Sequence, residues 1–151
     1  MRFIALLGCA AIVAGCSTKE TPPADTTAMA PAGPPAMSLG HVAAIWNVTV
    51  KPEGKDTVVT TYILNTTDTT GWLFAFPGGK PIPLKVSEVR GDTVMTSTDW
   101  FDSSVRPGLK VRNNGRFWLT EDGKLVGKVV AHYQTTGPDT LRVFDTEGVR
   151  K

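Results

Sequence analysis

Residues 71–86 read GWLFAFPGGKPIPLKV, and this stretch decides the class of fold. Its aromatic residues Trp72, Phe74 and Phe76 alternate with smaller ones, which is the two-residue period of a β-strand with one buried face. A Pro-Gly-Gly turn follows, after which the residues around Leu84 resume the same alternation. The stretch therefore predicts a strand, a turn and a second strand.

The same unit recurs from residue 39 to the end of the sequence. Gly- and Pro-containing turns separate segments that are rich in Val, Thr, Ile and aromatic residues, and no window has a sustained helical period. Eight such segments joined by short turns predict an all-β fold, an antiparallel up-and-down barrel whose closure removes both sheet edges. The predicted strands occupy residues 43–51, 57–65, 71–76, 82–87, 93–101, 109–120, 124–133 and 140–150.

Residues 109–120 allow two interpretations. Asn114-Gly115 is a strong signal for a two-residue hairpin, which would split the segment into two short strands. Alternatively, Gly115 is a bulge within one long sixth strand. We favour the continuous strand, because it keeps the even spacing of the other segments.

Three motifs give the barrel a resemblance to a known family. They are Trp46, the DGKLVG run at 122–127 and the EGVR run at 147–150, and together they resemble small bacterial lipocalin-like (calycin) domains over residues 40–150. In that family a tryptophan of the first strand is covered by an arginine of the last. The resemblance implies that Trp46 and Arg150 close one end of the barrel through a cation–π contact. The family's glycine two positions before the tryptophan is replaced here by Ala44.

A second resemblance concerns the beginning of the chain. The apolar run at residues 3–14 is too short for a membrane-spanning helix, which needs about 20 residues, and it has the order of a secretory signal. It ends in Val13, Ala14 and Gly15 before Cys16, which resembles the lipobox of bacterial lipoproteins. The resemblance implies cleavage before Cys16 and acylation of its sulfur and its new amino group.

This interpretation divides the chain into three parts. Residues 1–15 form a removable signal peptide, residues 16–38 a lipidated cysteine with a Pro-, Ala- and Thr-rich tether, and residues 39–151 the barrel. The tether has too few large apolar residues for a core and is expected to be disordered. Ser17 follows the cysteine where aspartate would signal inner-membrane retention, so we favour the outer membrane facing the periplasm. In a bacterium with one membrane the same motif places the protein on the cell exterior.

The composition excludes several classes of function. A formal net charge of +2 is too balanced to predict a nucleic-acid partner. Cys9 leaves with the signal and Cys16 carries lipid, so the folded part has no free thiol for disulfides, metal binding or catalysis. His41 and His132 are isolated, and the serines at 103–104 lack a glycine-flanked nucleophile elbow. We therefore expect no enzyme, no catalytic residues, no cofactor and no metal.

Two functions remain open. The barrel can be a non-enzymatic scaffold or interaction module for an envelope protein, with Arg106, Lys110, Arg112 and Arg116 as its candidate partner surface. Alternatively, it binds a small apolar ligand, because an eight-stranded barrel has room for packed side chains or one small molecule. The candidate ligand-lining residues are the aromatic ones: Tyr62, Trp72, Phe74, Phe76, Trp100 and Trp118.

Overall fold

The computed structural model describes residues 37–151. The expected signal peptide, Cys16 and nearly all of the tether lie outside these residues. The described chain begins with a short helix, α1, which carries no periodic signal in the sequence, and continues as nine strands. The elements are α1 (Leu39–Val42), β1 (Ile45–Pro52), β2 (Thr60–Asn65), β3 (Trp72–Ala75), β4 (Ile82–Arg90), β5 (Thr93–Ser97), β6 (Phe101–Asp102), β7 (Lys110–Leu119), β8 (Leu125–Tyr133), a 3₁₀ turn (Pro138–Thr140) and β9 (Leu141–Arg150).

Eight of the strands form a closed antiparallel barrel, as the sequence predicts. Consecutive strands pair from β1 to β5, β5 pairs with β7, and β7 to β9 continue the sheet until β9 pairs with β1. The two-residue strand β6 also pairs with β7, beyond the part of β7 that β5 covers. The predicted fifth strand, 93–101, is therefore interrupted: β5 forms its first part, and β6 follows after a break of three residues. Within residues 37–151, no helix is long and apolar enough to cross a membrane.

The sixth predicted strand is continuous, so the hairpin at Asn114-Gly115 is not formed. In strand β7, Asn114 pairs with Val130 and Gly115 pairs with Val129 without a shift in register, so Gly115 is not a bulge either. The glycine has a packing reason instead. A Cβ atom at this position would lie 2.7 Å from both the Thr96 hydroxyl and a ring carbon of Phe117. Its absence lets these side chains occupy the barrel interior.

The inward-facing side chains form two clusters, one in each half of the barrel. The larger cluster includes Trp46, Leu64 and Trp72, and the smaller one includes Val111 and Phe144. Removal of this apolar surface from water stabilises the fold by about 25 cal/mol per Å². The two halves differ in how completely side chains fill them, and that difference locates the candidate site.

Candidate functional site

One end of the barrel, here called the closed end, is plugged by Trp46. Its side chain is fully buried, and the indole N–H donates hydrogen bonds to the Val42 carbonyl at 3.0 Å and the Thr66 hydroxyl at 3.1 Å. Thr66 also accepts a bond from the backbone N–H of Ala44 at 3.0 Å. These bonds tie helix α1 and the end of β2 to the first strand, so the Trp46 indole and the Thr66 hydroxyl both find partners inside the protein.

Arg150 covers this plug from outside. Its guanidinium carbon lies 5.1 Å from the centroid of the Trp46 ring, and the two residues are register partners on β1 and β9. The guanidinium also donates to the His41 carbonyl at 3.1 Å. The structure thus brings together the pair that the family resemblance implies. Because both residues close the barrel, their role is architectural.

The other half of the barrel contains a cavity. This half lies where Val111 of β7 pairs with Tyr133 of β8. The volume of the cavity is about 60 Å³. None of the side chains that line it is charged: they are aliphatic, aromatic, hydroxyl-bearing or, in the case of Asn113, an amide. An apolar interior with a few polar groups is typical of small-molecule sites.

Four aromatic rings form one wall of the cavity. Phe74 lies at their centre, with its centroid 5.5 Å from Tyr62, 5.6 Å from Phe76 and 5.5 Å from Phe101, all in edge-to-face arrangements. Such pairs contribute about 0.5–1.5 kcal/mol each beyond the area they bury. The four rings therefore hold one another in a defined arrangement.

The six predicted lining residues divide into three groups. Tyr62, Phe74 and Phe76 line the cavity. Trp72 is buried in the core of the barrel but does not line the cavity. Trp100 is 46% exposed and lies beneath the Arg112 guanidinium, outside the barrel. Trp118 is also outside, because it alternates with the inward-facing Phe117 along β7.

Sequence reasoning missed four aromatic lining residues, Phe101, Phe117, Tyr133 and Phe144. Phe117 and Phe144 both alternate with exposed or half-buried neighbours in their strands, so strand period was the signal that could have found them. Phe101 had no such signal, since it follows the interruption between β5 and β6 and its direction depends on that break.

Two buried polar atoms in the lining have no hydrogen-bond partner within residues 37–151. They are the side-chain oxygen of Asn113 and the hydroxyl of Thr146, a residue that is 5% exposed. An unsatisfied buried polar group costs about 1–3 kcal/mol. Since both atoms belong to cavity-lining residues, a molecule inside can supply the missing hydrogen bonds.

Tyr62 gives the cavity a measurable pH signature. Burial raises the pKa of its phenol above the ordinary value of 10.0. The unfolded chain therefore releases this proton first as the pH rises, so the contribution of Tyr62 to stability is constant below pH 10 and falls above it. We expect Tyr62→Phe to remove up to about 1.4 kcal/mol of the loss in unfolding free energy between pH 8 and pH 11. Urea denaturation of the native protein and of Tyr62→Phe at both pH values measures this difference. An equal loss of unfolding free energy in both proteins would contradict a buried phenol.

The loop from Asp102 to Gly108 contributes the cavity's Ser103, Ser104 and Val105. Arg106 holds this loop in place: its backbone N–H donates to the Ser103 hydroxyl at 2.9 Å, and its guanidinium donates to the Asp139 carbonyl at 2.9 Å. The same guanidinium lies 4.9 Å from the centroid of Tyr133. Arg106 is therefore half-buried and engaged in the loop, unlike the free surface arginine that the sequence suggested.

The rest of the predicted basic surface lies on the outer face of β7. Lys110 forms an ion pair with Asp102 at 3.1 Å, and Arg112 lies with its guanidinium carbon 5.3 Å from the centroid of Trp100. Arg116 also points outward, next to Lys128 of β8. Exposed pairs of this kind contribute about 0–1 kcal/mol. The structure brings Lys110, Arg112 and Arg116 to one face, but separates Arg106 from them.

A second outward surface is apolar. Ile45, Ile63, Leu73 and Val149 are 42% to 54% exposed. Strand register places them on one face of β9, β1, β2 and β3, as diagonal neighbours with Asn47 and Asn65 between them. Single exposed apolar residues are ordinary, whereas neighbouring ones indicate a contact surface.

Within residues 37–151, the serine and the aspartates that the sequence offered as catalytic candidates are engaged in other contacts. Ser103 is buried and bound to Arg106, and Asp99 and Asp102 pair with Lys85 and Lys110 on the surface. No cluster of three or more His, Cys, Asp or Glu side chains suited to a metal ion occurs among the residues that the structure describes.

Comparison with known proteins gives no relative for this chain: no family model, no curated protein and no solved structure matches it.

Proposed function

We propose that this chain is a lipid-anchored protein of the bacterial envelope whose barrel binds a small, mostly apolar molecule in its cavity. The observation that carries the proposal is an uncharged cavity with an ordered aromatic wall in one half of a closed barrel. A barrel that served purely as a rigid scaffold would gain stability from filling that half.

The size of the cavity limits the ligand. Drug-sized ligands occupy pockets of about 300–1,000 Å³, and a cavity of about 150 Å³ holds benzene. The cavity here measures about 60 Å³. It therefore holds the head group and first carbons of a slender molecule, or a few ordered waters. The rest of a longer chain would extend out of the cavity, and a bulky cofactor does not fit.

The location in the envelope rests on the lipobox-like residues 13–16. Acyl chains on Cys16, at roughly 0.8 kcal/mol per buried methylene, would hold the protein on a membrane, and Ser17 favours the outer one. A barrel close to lipid would meet slender apolar molecules at high local concentration. The proposed membrane anchor and the proposed apolar ligand are therefore consistent with each other.

Native mass spectrometry of the processed protein, released gently from its source envelope, tests the ligand-binding proposal. We expect an added stoichiometric mass that disappears on denaturation and whose fragments identify an apolar molecule. A single mass equal to that of the processed chain, obtained repeatedly under mild conditions, would count against a resident ligand.

A second candidate function is an interaction module for an envelope protein. The apolar group of Ile45, Ile63, Leu73 and Val149 favours it. Cross-linking in intact envelopes tests this candidate: Ile63→Lys should abolish an adduct that forms with the native protein. Leu141→Lys, an equally exposed position outside the group, serves as the control and should retain the adduct.

A further inference from the structure

The lining of the cavity specifies the chemistry of its ligand beyond being apolar. We propose that the ligand is electrically neutral and carries a hydrogen-bonding head group, an alcohol or an amide, which binds the unpartnered oxygens of Thr146 or Asn113. The inference rests on the proposed ligand-binding function. It adds that the ionised carboxylate of the same chain length is rejected.

Thr146 is the stronger of the two anchors. By strand register it is level with Gly127, and Gly127 is level with Phe117, which places the threonine deep in the barrel. A Cβ atom on Gly127 would lie 2.9 Å from the Thr146 hydroxyl oxygen. The same Cβ atom would lie 2.6 Å from a ring carbon of Phe117, so the glycine lets the threonine and this ring lie side by side in the barrel. The hydroxyl can both donate and accept a hydrogen bond.

Asn113 offers a second anchor, closer to the Tyr133 end. It is level with Ala131 and four residues from Phe117 along β7. Its backbone N–H and carbonyl both bond to Thr98, at 2.8 Å and 2.9 Å, which fixes the strand at this point. Its side-chain oxygen has no partner within residues 37–151 and can accept a hydrogen bond. A ligand with an N–H or O–H group matches this acceptor.

Because no lining side chain is charged, the cavity favours a neutral ligand over an ionised one. Transfer of an ionised carboxylate into such a cavity has a high desolvation cost unless a cation pairs with it. Arg106, the arginine beside Tyr133, is already bonded to the Asp139 carbonyl. A neutral alcohol loses far less hydration and gains the bond to Thr146, so the cavity favours it.

Titration of the full chain with 1-octanol and with octanoate at pH 8, followed calorimetrically, tests this inference. We expect 1-octanol to bind at least about tenfold more tightly, a difference of about 1.4 kcal/mol. Thr146→Val should weaken octanol binding by a similar factor, because valine has the same shape without the hydroxyl. Thr61→Val, the same change on the outer face of β2, should leave octanol binding unchanged.

The outcomes separate the two proposals. If octanoate binds as tightly as 1-octanol or more tightly, the inference about neutrality is wrong and the ligand-binding function stands. If neither probe binds, the ligand-binding function itself fails for slender molecules. If Thr146→Val does not fold, the ratio of the octanol and octanoate affinities of the native protein still tests the inference about neutrality. Thr146→Ser, which keeps the hydroxyl, should preserve octanol binding.

Discussion

Replacing Trp46 by alanine is expected to remove a large share of the stability of the barrel. The indole is fully buried and supplies two hydrogen bonds that no smaller side chain can replace. Large-to-small changes of a buried tryptophan cost about 3–5 kcal/mol, a large share of the roughly 5–15 kcal/mol available to a domain. Urea denaturation, followed by circular dichroism, measures the loss.

Trp100→Ala provides the matched control for this prediction. It removes the same side chain from an exposed position, where only the stacking with Arg112 is lost. We expect a change of about 1 kcal/mol or less in the unfolding free energy. Equal losses from the two substitutions would mean that Trp46 does not close the barrel.

Replacing Cys16 by alanine is expected to abolish membrane attachment altogether. The proposed anchor depends on acylation at this sulfur and at the amino group exposed by cleavage before it, so the substitution removes the site of both reactions. Metabolic labelling with a palmitate analogue and fractionation of the envelope measure the effect. The labelled band should vanish, and the protein should leave the membrane fraction.

The chain offers its own control, since Cys9 is its other cysteine. Cys9→Ala changes the same residue type within the expected signal peptide and should leave labelling and membrane attachment intact. Label that persists on the Cys16→Ala protein would refute the lipoprotein proposal. That result would not bear on ligand binding by the barrel, which is tested separately.

Most of the strands could be predicted from the sequence, because alternation of apolar residues and turn residues are local signals. The strand containing Trp72 and Phe74 and the continuous strand through Gly115 follow from two-residue periods and the spacing between turns. Closure into a barrel also follows, because eight short strands would otherwise expose two edges. Helix α1 was missed, since four residues are too few to show a helical period.

The candidate site was predicted less completely, and Trp100 shows why. Val94, Thr96 and Thr98 are buried and would place residue 100 inside if the alternation continued. The strand breaks between β5 and β6, and the parity changes, so that Phe101 enters the wall and Trp100 faces outward. A break of this kind depends on pairing with β7, a contact between distant segments that local patterns do not encode.

Trp118 illustrates a different limit. Strand period alone places it outside, once Val111 and Phe117 are recognised as inward-facing, but its aromatic character favours burial. The volume of the cavity and the unpartnered oxygens of Thr146 and Asn113 have no sequence signal. They arise from how side chains on different strands meet.

The most direct test of the central claim is a crystal structure of the protein grown with 1-octanol. The account predicts electron density for the head group and the first carbons of the alkyl chain inside the barrel, against Phe74 and Tyr62. The hydroxyl should lie about 2.7–3.2 Å from the oxygen of Thr146 or Asn113. Density confined to the outer apolar group around Ile63, with only water in the cavity, would contradict it.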